Sequence, residues 1–162
     1  MRIIGIDPGT LRMGYAVVES ADGEPRAIAW GTLVAPTRLG LGQRLYSLYS
    51  RLLELMESHH PTHAAVEEPF VASNVRTALA IGQAQGLALL VAAQAGVPLA
   101  SYPPRQVKLA VTGSGAATKE QVQQAVALHL GLSSPPTPMD ASDALAVALC
   151  HLQALRSSTL LS

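Results

Sequence analysis

Four acidic side chains lie at the ends of apolar segments, where a carboxylate is costly to bury. Asp7 and Glu67 each end a short apolar run. Asp140 and Asp143 open a segment rich in Ala and Leu. Two carboxylates about 4 Å apart repel by roughly 4 kcal/mol at an effective dielectric near 20. If the fold brings these acids together, it therefore needs a compensating cation.

The chain is long enough for one domain with a substantial core. It has 162 residues, of which 49% are hydrophobic and 14% are charged. We predict a single domain over residues 1–156, followed by a flexible tail over 157–162. The single Cys150 excludes an intrachain disulfide, and the first residues do not resemble a signal peptide. We therefore expect a cytoplasmic protein.

The segment from Thr77 to Tyr102 carries no charged residue. Its length and composition are compatible with a membrane span. However, three Gln and three Gly residues interrupt it, which is unusual for a segment in lipid. We predict instead a helix that is buried in the protein or lies at a subunit interface, and no membrane contact.

Hydrophobic periodicity and turn residues divide the chain into five strands and five helices. The strands are predicted at Ile3–Asp7, Gly14–Glu19, Ile28–Val34, Ala64–Glu67 and Val97–Tyr102. The helices are predicted at Leu39–Met56, from a cap at Ser73 or Asn74 to about Gln94, from Pro103–Pro104 through Val107, at Thr118–Leu130 and at Pro138–Arg156.

This order of elements predicts an α/β fold with a mixed five-stranded sheet flanked by helices. Short connections make the first three strands an antiparallel meander, and helical crossovers make the last two parallel to the first. Asp7 and Glu67 then end neighbouring parallel strands, where α/β sheets place their active sites. Asp140 and Asp143 share one helix face. If that helix packs beside the strand ends, all four acids converge.

Each acid also has an ordinary structural explanation. Asp7, before Pro-Gly, could be a turn residue. Asp140 could be a first-turn acid that pairs with an N-cap at Thr137. Glu68 could be the inward-facing acid in place of Glu67. Asp143 fits such explanations least, because it lies well inside an apolar helix.

Taken together, the four acids predict a metal site. Carboxylate oxygens without clustered His or Cys favour the hard cations Mg²⁺ or Mn²⁺. Paired ions of this kind stabilise the attacking and leaving oxygens of phosphoryl transfer. Asp7 is the best candidate to bridge two of them. The predicted chemistry is in-line hydrolysis of a phosphodiester that leaves a 5′-phosphate and a 3′-hydroxyl.

Basic residues cluster in a stretch that has no acid. Between Glu68 and Glu120 the only charged residues are cationic: Arg76, Arg105, Lys108 and Lys119. Lys119 follows a Gly-Ser-Gly loop, whose backbone N–H groups can approach a phosphate. This pattern predicts contacts with a nucleic-acid backbone. A solvated helix face is the alternative interpretation of the pair formed by Arg105 and Lys108.

Phe70 is the only Phe and follows Glu67 within a predicted loop. It could stack on an unpaired base or anchor the loop to the core. The five His residues have no metal-ligand spacing, and His151 fits a core histidine better than a ligand.

Six motifs in this order resemble the RuvC-type Holliday junction resolvases over nearly the full length. They are Gly5-Ile-Asp7-Pro-Gly with Gly14-Tyr15, Val66-Glu67 with Phe70, Gly82-Gln-Ala-Gln-Gly86, Arg105-Gln-Val-Lys108, Gly113-x-Gly-x-Ala117-x-Lys119-x-Gln-Val122 and Asp140-Ala-Ser-Asp143-Ala-Leu-Ala.

The resemblance implies an RNase H-like fold and a homodimer that nicks two strands of like polarity in a four-way DNA junction. It implies Mg²⁺ or Mn²⁺ as cofactor and the RuvAB branch-migration complex as partner. Asp7, Glu67, Asp140 and Asp143 match the metal-binding acids, Lys108 and Lys119 match basic residues near the scissile phosphate, and Phe70 matches an aromatic at the junction centre. Gly82 and Gly86 match the dimer-contacting helix.

Two features depart from the family pattern. Glu68-Pro69 adds an acid and a stiff turn after Glu67, which could alter contacts at the junction centre. Relatives can carry His in place of Asp140, so this acid is the ligand the resemblance supports least.

Two other functions remain compatible with parts of the sequence. One is a junction-binding protein on the same fold that does not cleave. The other is an actin- or sugar-kinase-like ATPase, because Gly5–Thr10 resembles a phosphate loop, although a second such loop is not found.

Overall fold

The computed structural model describes residues 1–68 and 74–160. Its strands are β1 (Arg2–Asp7), β2 (Arg12–Ala21), β3 (Glu24–Val34), β4 (His63–Glu67) and β5 (Leu99–Tyr102). Its helices are α1 (Leu41–His59), α2 (Val75–Gln94), α3 (Pro104–Thr112), α4 (Lys119–Leu130) and α5 (Met139–Leu160).

The strands form one mixed sheet in the order β3-β2-β1-β4-β5. β1, β2 and β3 pair antiparallel, whereas β4 pairs parallel with both β1 and β5. The predicted five-stranded mixed sheet is confirmed. β1 lies at its centre, so the carboxyl ends of β1 and β4 are neighbours.

Side-chain alternation along the strands gives the sheet two buried faces. On one face, Ile3, Ala16 and Ala65 pack with α3, α4 and α5. On the other, Ile4 and Val66 pack with α1 and α2. We call these the α5 face and the α1/α2 face. Both faces of the central strands are therefore covered.

Two glycines let α5 lie directly on the sheet. A Cβ atom at Gly5 would overlap the carbonyl oxygen of Ala144, and one at Gly14 would overlap the carbonyl oxygen of Asp140. Backbone thus meets backbone at both points, with no side chain between. This contact fixes the start of α5 against β1 and β2.

Three helices end later than the sequence predicts. α1 runs from Leu41 to His59 instead of from Leu39 to Met56. α3 continues to Thr112 instead of ending at Val107. α5 continues to Leu160, so residues 157–160 of the expected tail are helical. There the hydroxyls of Ser157 and Ser158 donate to carbonyl oxygens of the preceding turn, and no Gly or Pro intervenes to stop the helix.

Asn74 caps the start of α2, and its side chain accepts hydrogen bonds from the backbone N–H groups of Arg76 and Thr77 at 2.9 and 3.5 Å. The alternative cap, Ser73, lies outside the described residues. By length and composition α2 could cross a membrane, with a mean hydropathy of 1.3. One side of α2 packs against the sheet, where Ala84, Ala88 and Val91 are fully buried, and most of the remaining helix is exposed.

Candidate active site

Asp7 and Glu67 lie side by side at one edge of the sheet. They directly follow Ile6 and Val66, which are register partners in the parallel β1–β4 pair. Adjacent strands are about 4.8 Å apart, so the two carboxylates start from neighbouring backbone positions. Both are only partly exposed.

Alternation along β4 distinguishes Glu67 from Glu68. Ala65 packs on the α5 face, and Glu67, two residues later, shares that face. Glu68 follows the end of the strand, and its backbone N–H donates to the carbonyl oxygen of Tyr102 at 2.8 Å. The acid on the α5 face is therefore Glu67.

The first turns of α5 bring the other two acids to the same edge. Asp140 lies where the helix backbone meets Gly14, which pairs with Asp7 in the β1–β2 ladder. Asp143, one turn later, interacts electrostatically with both Asp7 and Glu67. The structure thus brings the four predicted acids together.

Burial and mutual repulsion raise the pKa values of three of the acids. Burial, with the negative charges of Asp143, Glu67 and Asp140, raises the pKa of Asp7 from 3.8 to about 8. Burial and the charge of Asp143 raise the pKa of Glu67 from 4.5 to about 7. Burial also raises the pKa of Asp143, although Lys119 opposes that shift. If all four acids were ionised, the site would therefore have an excess of negative charge that a cation would relieve.

Two cations pair with the acids of α5. The Lys119 Nζ lies 3.4 Å from the Asp143 Oδ2, and the Asp143 carboxylate raises the pKa of Lys119. The Arg12 Nε donates to the Asp140 Oδ2 at 2.9 Å. Lys119 was predicted from the sequence as a site residue, whereas Arg12 was not. The sequence feature that could have identified Arg12 is its position two residues before Gly14, which puts both residues on the α5 face.

The donor set fits a hard divalent cation in chemistry. All four groups are carboxylates, which favour Mg²⁺ or Mn²⁺. Within residues 1–68 and 74–160, however, no three Asp, Glu, His or Cys side chains are grouped tightly enough to hold a metal ion as they stand. The pairs with Lys119 and Arg12 occupy two of the carboxylates that such an ion would require.

A cavity of about 210 Å³ opens beside the acids. Glu67, Asp143, Lys108 and Lys119 line it, together with apolar side chains of α3, α4 and α5. Burial raises the pKa values of Glu67 and Asp143, and the positive charge of Lys108 opposes this rise in both. Acids and lysines thus face one cleft, as a site for a charged phosphate requires.

The loop before Lys119 is ordered by local hydrogen bonds. Gly113 ends α3 with φ +80°, a conformation that favours glycine. The Thr112 hydroxyl donates to the Ser114 carbonyl at 3.0 Å, and Thr118 forms a capping box with Gln121. The predicted Gly-Ser-Gly loop is therefore a hydrogen-bonded turn, and it places Lys119 in the first turn of α4.

Two of the three remaining predicted DNA contacts, Arg105 and Arg76, lie within the described residues. Arg105 is exposed on α3. Its side chain packs against Gly115 so closely that a Cβ atom at position 115 would lie 2.8 Å from the Arg105 Cγ. Arg76 is exposed in the first turn of α2. Phe70 lies outside the described residues.

His151 is a core residue. Its Nδ1 is 2.7 Å from the Tyr102 hydroxyl, and its ring centroid is 5.6 Å from that of His63, which begins β4. Glu67 ends the same strand, so His151 lies toward the opposite edge of the sheet. Burial lowers its pKa.

Gly82 and Gly86 lie on an exposed apolar stripe of α2. We define the α2 stripe as Val75, Leu79, Gly82, Gly86 and Leu90, and its three large side chains are 86%, 62% and 59% exposed. The spacing of three and four residues puts them on one side of the helix. Beside it, a groove of about 300 Å³ is lined by residues of α1 and α2: Leu45, Tyr46, Tyr49, Gln83, Gly86, Leu87 and Leu90.

Comparisons with known proteins agree with one another. The family model described as "Crossover junction endodeoxyribonuclease RuvC" matches residues 3–151. A protein of that name from Roseiflexus sp. (strain RS-1) is 51% identical over 153 residues, which cover 94% of this chain and 91% of the relative.

Solved structures give the same result. RuvC of T. thermophilus in complex with a Holliday junction substrate aligns with a TM-score of 0.92 at 36% identity, covering 98% of this chain and 97% of that one. A yeast mitochondrial Holliday junction resolvase, Ydc2, aligns with a TM-score of 0.64 at 15% identity, over 96% of this chain and 83% of that one, and shows a shared fold.

Proposed function

The chain belongs to the RuvC family of crossover junction endodeoxyribonucleases, and from this membership we propose that it cleaves four-way (Holliday) DNA junctions as a hydrolase of recombination and repair. A relative at 36% identity was solved with a Holliday junction substrate. Family membership argues against the ATPase interpretation of Gly5–Thr10 and against a junction-binding protein that does not cleave.

The single observation that carries the catalytic assignment is the convergence of four carboxylates at one edge of the sheet, beside a cleft that Glu67 and Asp143 line together with two lysines. In the proposed site, Asp7, Glu67, Asp140 and Asp143 would hold two divalent cations, Mg²⁺ or Mn²⁺. When bound, such cations supply Lewis-acid activation of water and of the scissile phosphate for in-line hydrolysis to a 5′-phosphate and a 3′-hydroxyl.

The lysines complete the proposed site. Lys108 and Lys119 line the cleft with Glu67 and Asp143, so a phosphate that entered it would meet two ammonium groups. Lys119 would stabilise the charge that develops on the phosphate as the bond to the leaving oxygen breaks. The Lys119 Nζ lies 3.4 Å from the Asp143 Oδ2. Lys119 is therefore already positioned beside one of the carboxylates that would bind the cations.

The DNA surface proposed here extends beyond the cleft. Arg105 and Arg76 would contact the phosphate backbone, since both are exposed cations and Arg105 is on α3, which also carries Lys108. Phe70 would engage an unstacked base at the junction centre, by its sequence position directly after Glu67.

The α2 stripe supports a homodimer. Its apolar side chains are exposed in one copy, and two small glycines allow a second helix to approach closely. A twofold dimer would present two active sites to a junction with twofold symmetry, and so would nick two strands of like polarity. We place this dimer in the cytoplasm, away from membranes, with the RuvAB branch-migration complex as its partner.

Asp7→Asn tests the catalytic assignment. The substitution keeps the shape of the side chain and removes its charge. We expect the variant to bind a synthetic four-way junction within about threefold of wild type and to lose at least about a thousandfold in Mg²⁺-dependent nicking, equivalent to roughly 4 kcal/mol of barrier. Asp22→Asn is the matched control, because Asp22 is an exposed turn residue with φ +53° that Asn adopts readily. Nicking by Asp7→Asn at the wild-type rate would remove Asp7 from the mechanism.

A further inference from the structure

Arg12 is a cation of the site that the functional assignment leaves without a role. Its Nε donates to the Asp140 Oδ2 at 2.9 Å, although the two residues are 128 apart in sequence. Both side chains reach solvent, with 54% of Arg12 and 33% of Asp140 exposed. The pair can therefore open and exchange partners without disturbing the core.

The backbone presents Arg12 to Asp140. Arg12 and Gly14 are two residues apart on β2 and share the α5 face. Gly14 contacts the carbonyl oxygen of Asp140 directly. The start of α5 therefore lies against β2 two residues from Arg12. On the other side, Gly9 packs against the carbonyl oxygen of Arg12 and leaves no room for a Cβ.

The ion pair and a bound cation compete for one carboxylate. A divalent cation that binds Asp140 must displace the guanidinium or share the carboxylate with it, and the positive charge of Arg12 repels the arriving ion. Lys119 bears the same relation to Asp143 at a longer 3.4 Å. Arg12 is the closer of these two partners.

We propose that Arg12 is a positioning residue that holds Asp140 until a divalent cation takes that carboxylate, and so sets the cation concentration at which the site fills. This inference rests on the proposed function, because it assumes that Asp140 belongs to the cation site. Arg12 is thus expected to change the affinity of the protein for the cation even when no DNA is bound.

The experiment is a titration of the DNA-free protein with Mn²⁺, with free Mn²⁺ measured by its electron paramagnetic resonance signal. Arg12→Gln should lower the Kd for Mn²⁺ by about three- to tenfold, since it removes both the competing pair and a nearby positive charge. Arg12→Lys should stay near wild type. Arg26→Gln is the matched control: it removes the same charge from an exposed site eight residues before Val34, at the far end of β3, and should change the Kd by less than about twofold.

A double substitution tests whether Arg12 changes the Kd for Mn²⁺ through the Asp140 carboxylate. In an Asp140→Asn background, Arg12→Gln should lose most of its effect on the Kd, because Arg12 acts through that carboxylate. An unchanged or raised Kd for Arg12→Gln alone, or an equal gain in the Asp140→Asn background, overturns the role of Arg12. Equal Mn²⁺ binding by wild type and Asp7→Asn overturns the carboxylate site itself, and the role of Arg12 with it.

Discussion

Asp7 and Glu67 end two adjacent parallel strands in register, so that two carboxylates lie side by side at the carboxyl edge of the sheet. The pKa of Asp7 rises to about 8 and that of Glu67 to about 7, mainly because both are buried. Each acid therefore keeps its proton in the folded protein at a pH where the unfolded chain has lost it.

This relationship predicts that the cation-free protein loses stability as the pH rises. Between about pH 4 and pH 8 the folded state binds more protons than the unfolded state, so the free energy of unfolding decreases with pH and levels off above the folded pKa values. We expect a loss of about 1–3 kcal/mol over this range. Urea unfolding in a chelating buffer at several pH values measures it.

Asp7→Asn should flatten that pH dependence and raise the free energy of unfolding at pH 8 by about 1–3 kcal/mol. Asp22→Asn provides the control at an exposed turn. An Asp7→Asn protein with the wild-type slope would mean that Asp7 is ionised in the folded state throughout this range.

Divalent cations should reverse this destabilisation. Binding to the folded state alone stabilises it by about 2.7 kcal/mol at a cation concentration a hundred times the Kd. The rise in Tm on adding Mg²⁺ or Mn²⁺ should be larger at pH 8 than at pH 6, because the carboxyls must lose their protons to bind the ion. Thermal scans with and without chelator measure the difference, and an equal rise for Asp7→Asn would argue against binding at this cluster.

Gly14→Ala should destabilise the protein by about 2–4 kcal/mol, because its Cβ would overlap the carbonyl oxygen of Asp140 and push α5 from the sheet. Gly42→Ala is the control, since Gly42 lies near the start of α1 with open space around it. That change should be neutral or stabilise by up to about 1 kcal/mol. Equal stabilities of the two variants in urea would show that β2 and α5 separate at little cost.

Leu79→Glu should convert a dimer to a monomer. Leu79 is 62% exposed in the middle of the α2 stripe, and a buried unpaired carboxylate at a dimer interface is strongly unfavourable. Leu128→Glu is the matched control, because Leu128 is 83% exposed on α4. Sedimentation velocity gives the mass of each variant. If Leu128→Glu dissociated the protein and Leu79→Glu did not, the interface would lie elsewhere.

The sheet and the convergence of the acids could be predicted because each depends on local patterns. Strand alternation and short turns gave the meander, and the position of Asp7 and Glu67 at strand ends gave their edge of the sheet. The choice between Glu67 and Glu68 needed the strand register, since a shift by one residue exchanges the two faces.

Other features depended on contacts that no local pattern contains. The pair between Arg12 and Asp140 joins residues 128 apart and is visible only once β2 lies against α5. The extension of α5 to Leu160 was missed because Ser is a poor helix former on average. There, Arg156 donates to the Ser20 hydroxyl at 2.9 Å, which ties the end of the helix to the β2–β3 turn.

The contact of α5 with bare backbone at Gly5 and Gly14 has a consequence for redesign. At these two points the gap between helix and sheet is a van der Waals distance between main-chain atoms, and the core side chains do not set it. Repacking the interior could therefore alter the melting temperature while leaving the spacing of the acids as it is. A different metal preference would have to come from replacing the acids themselves.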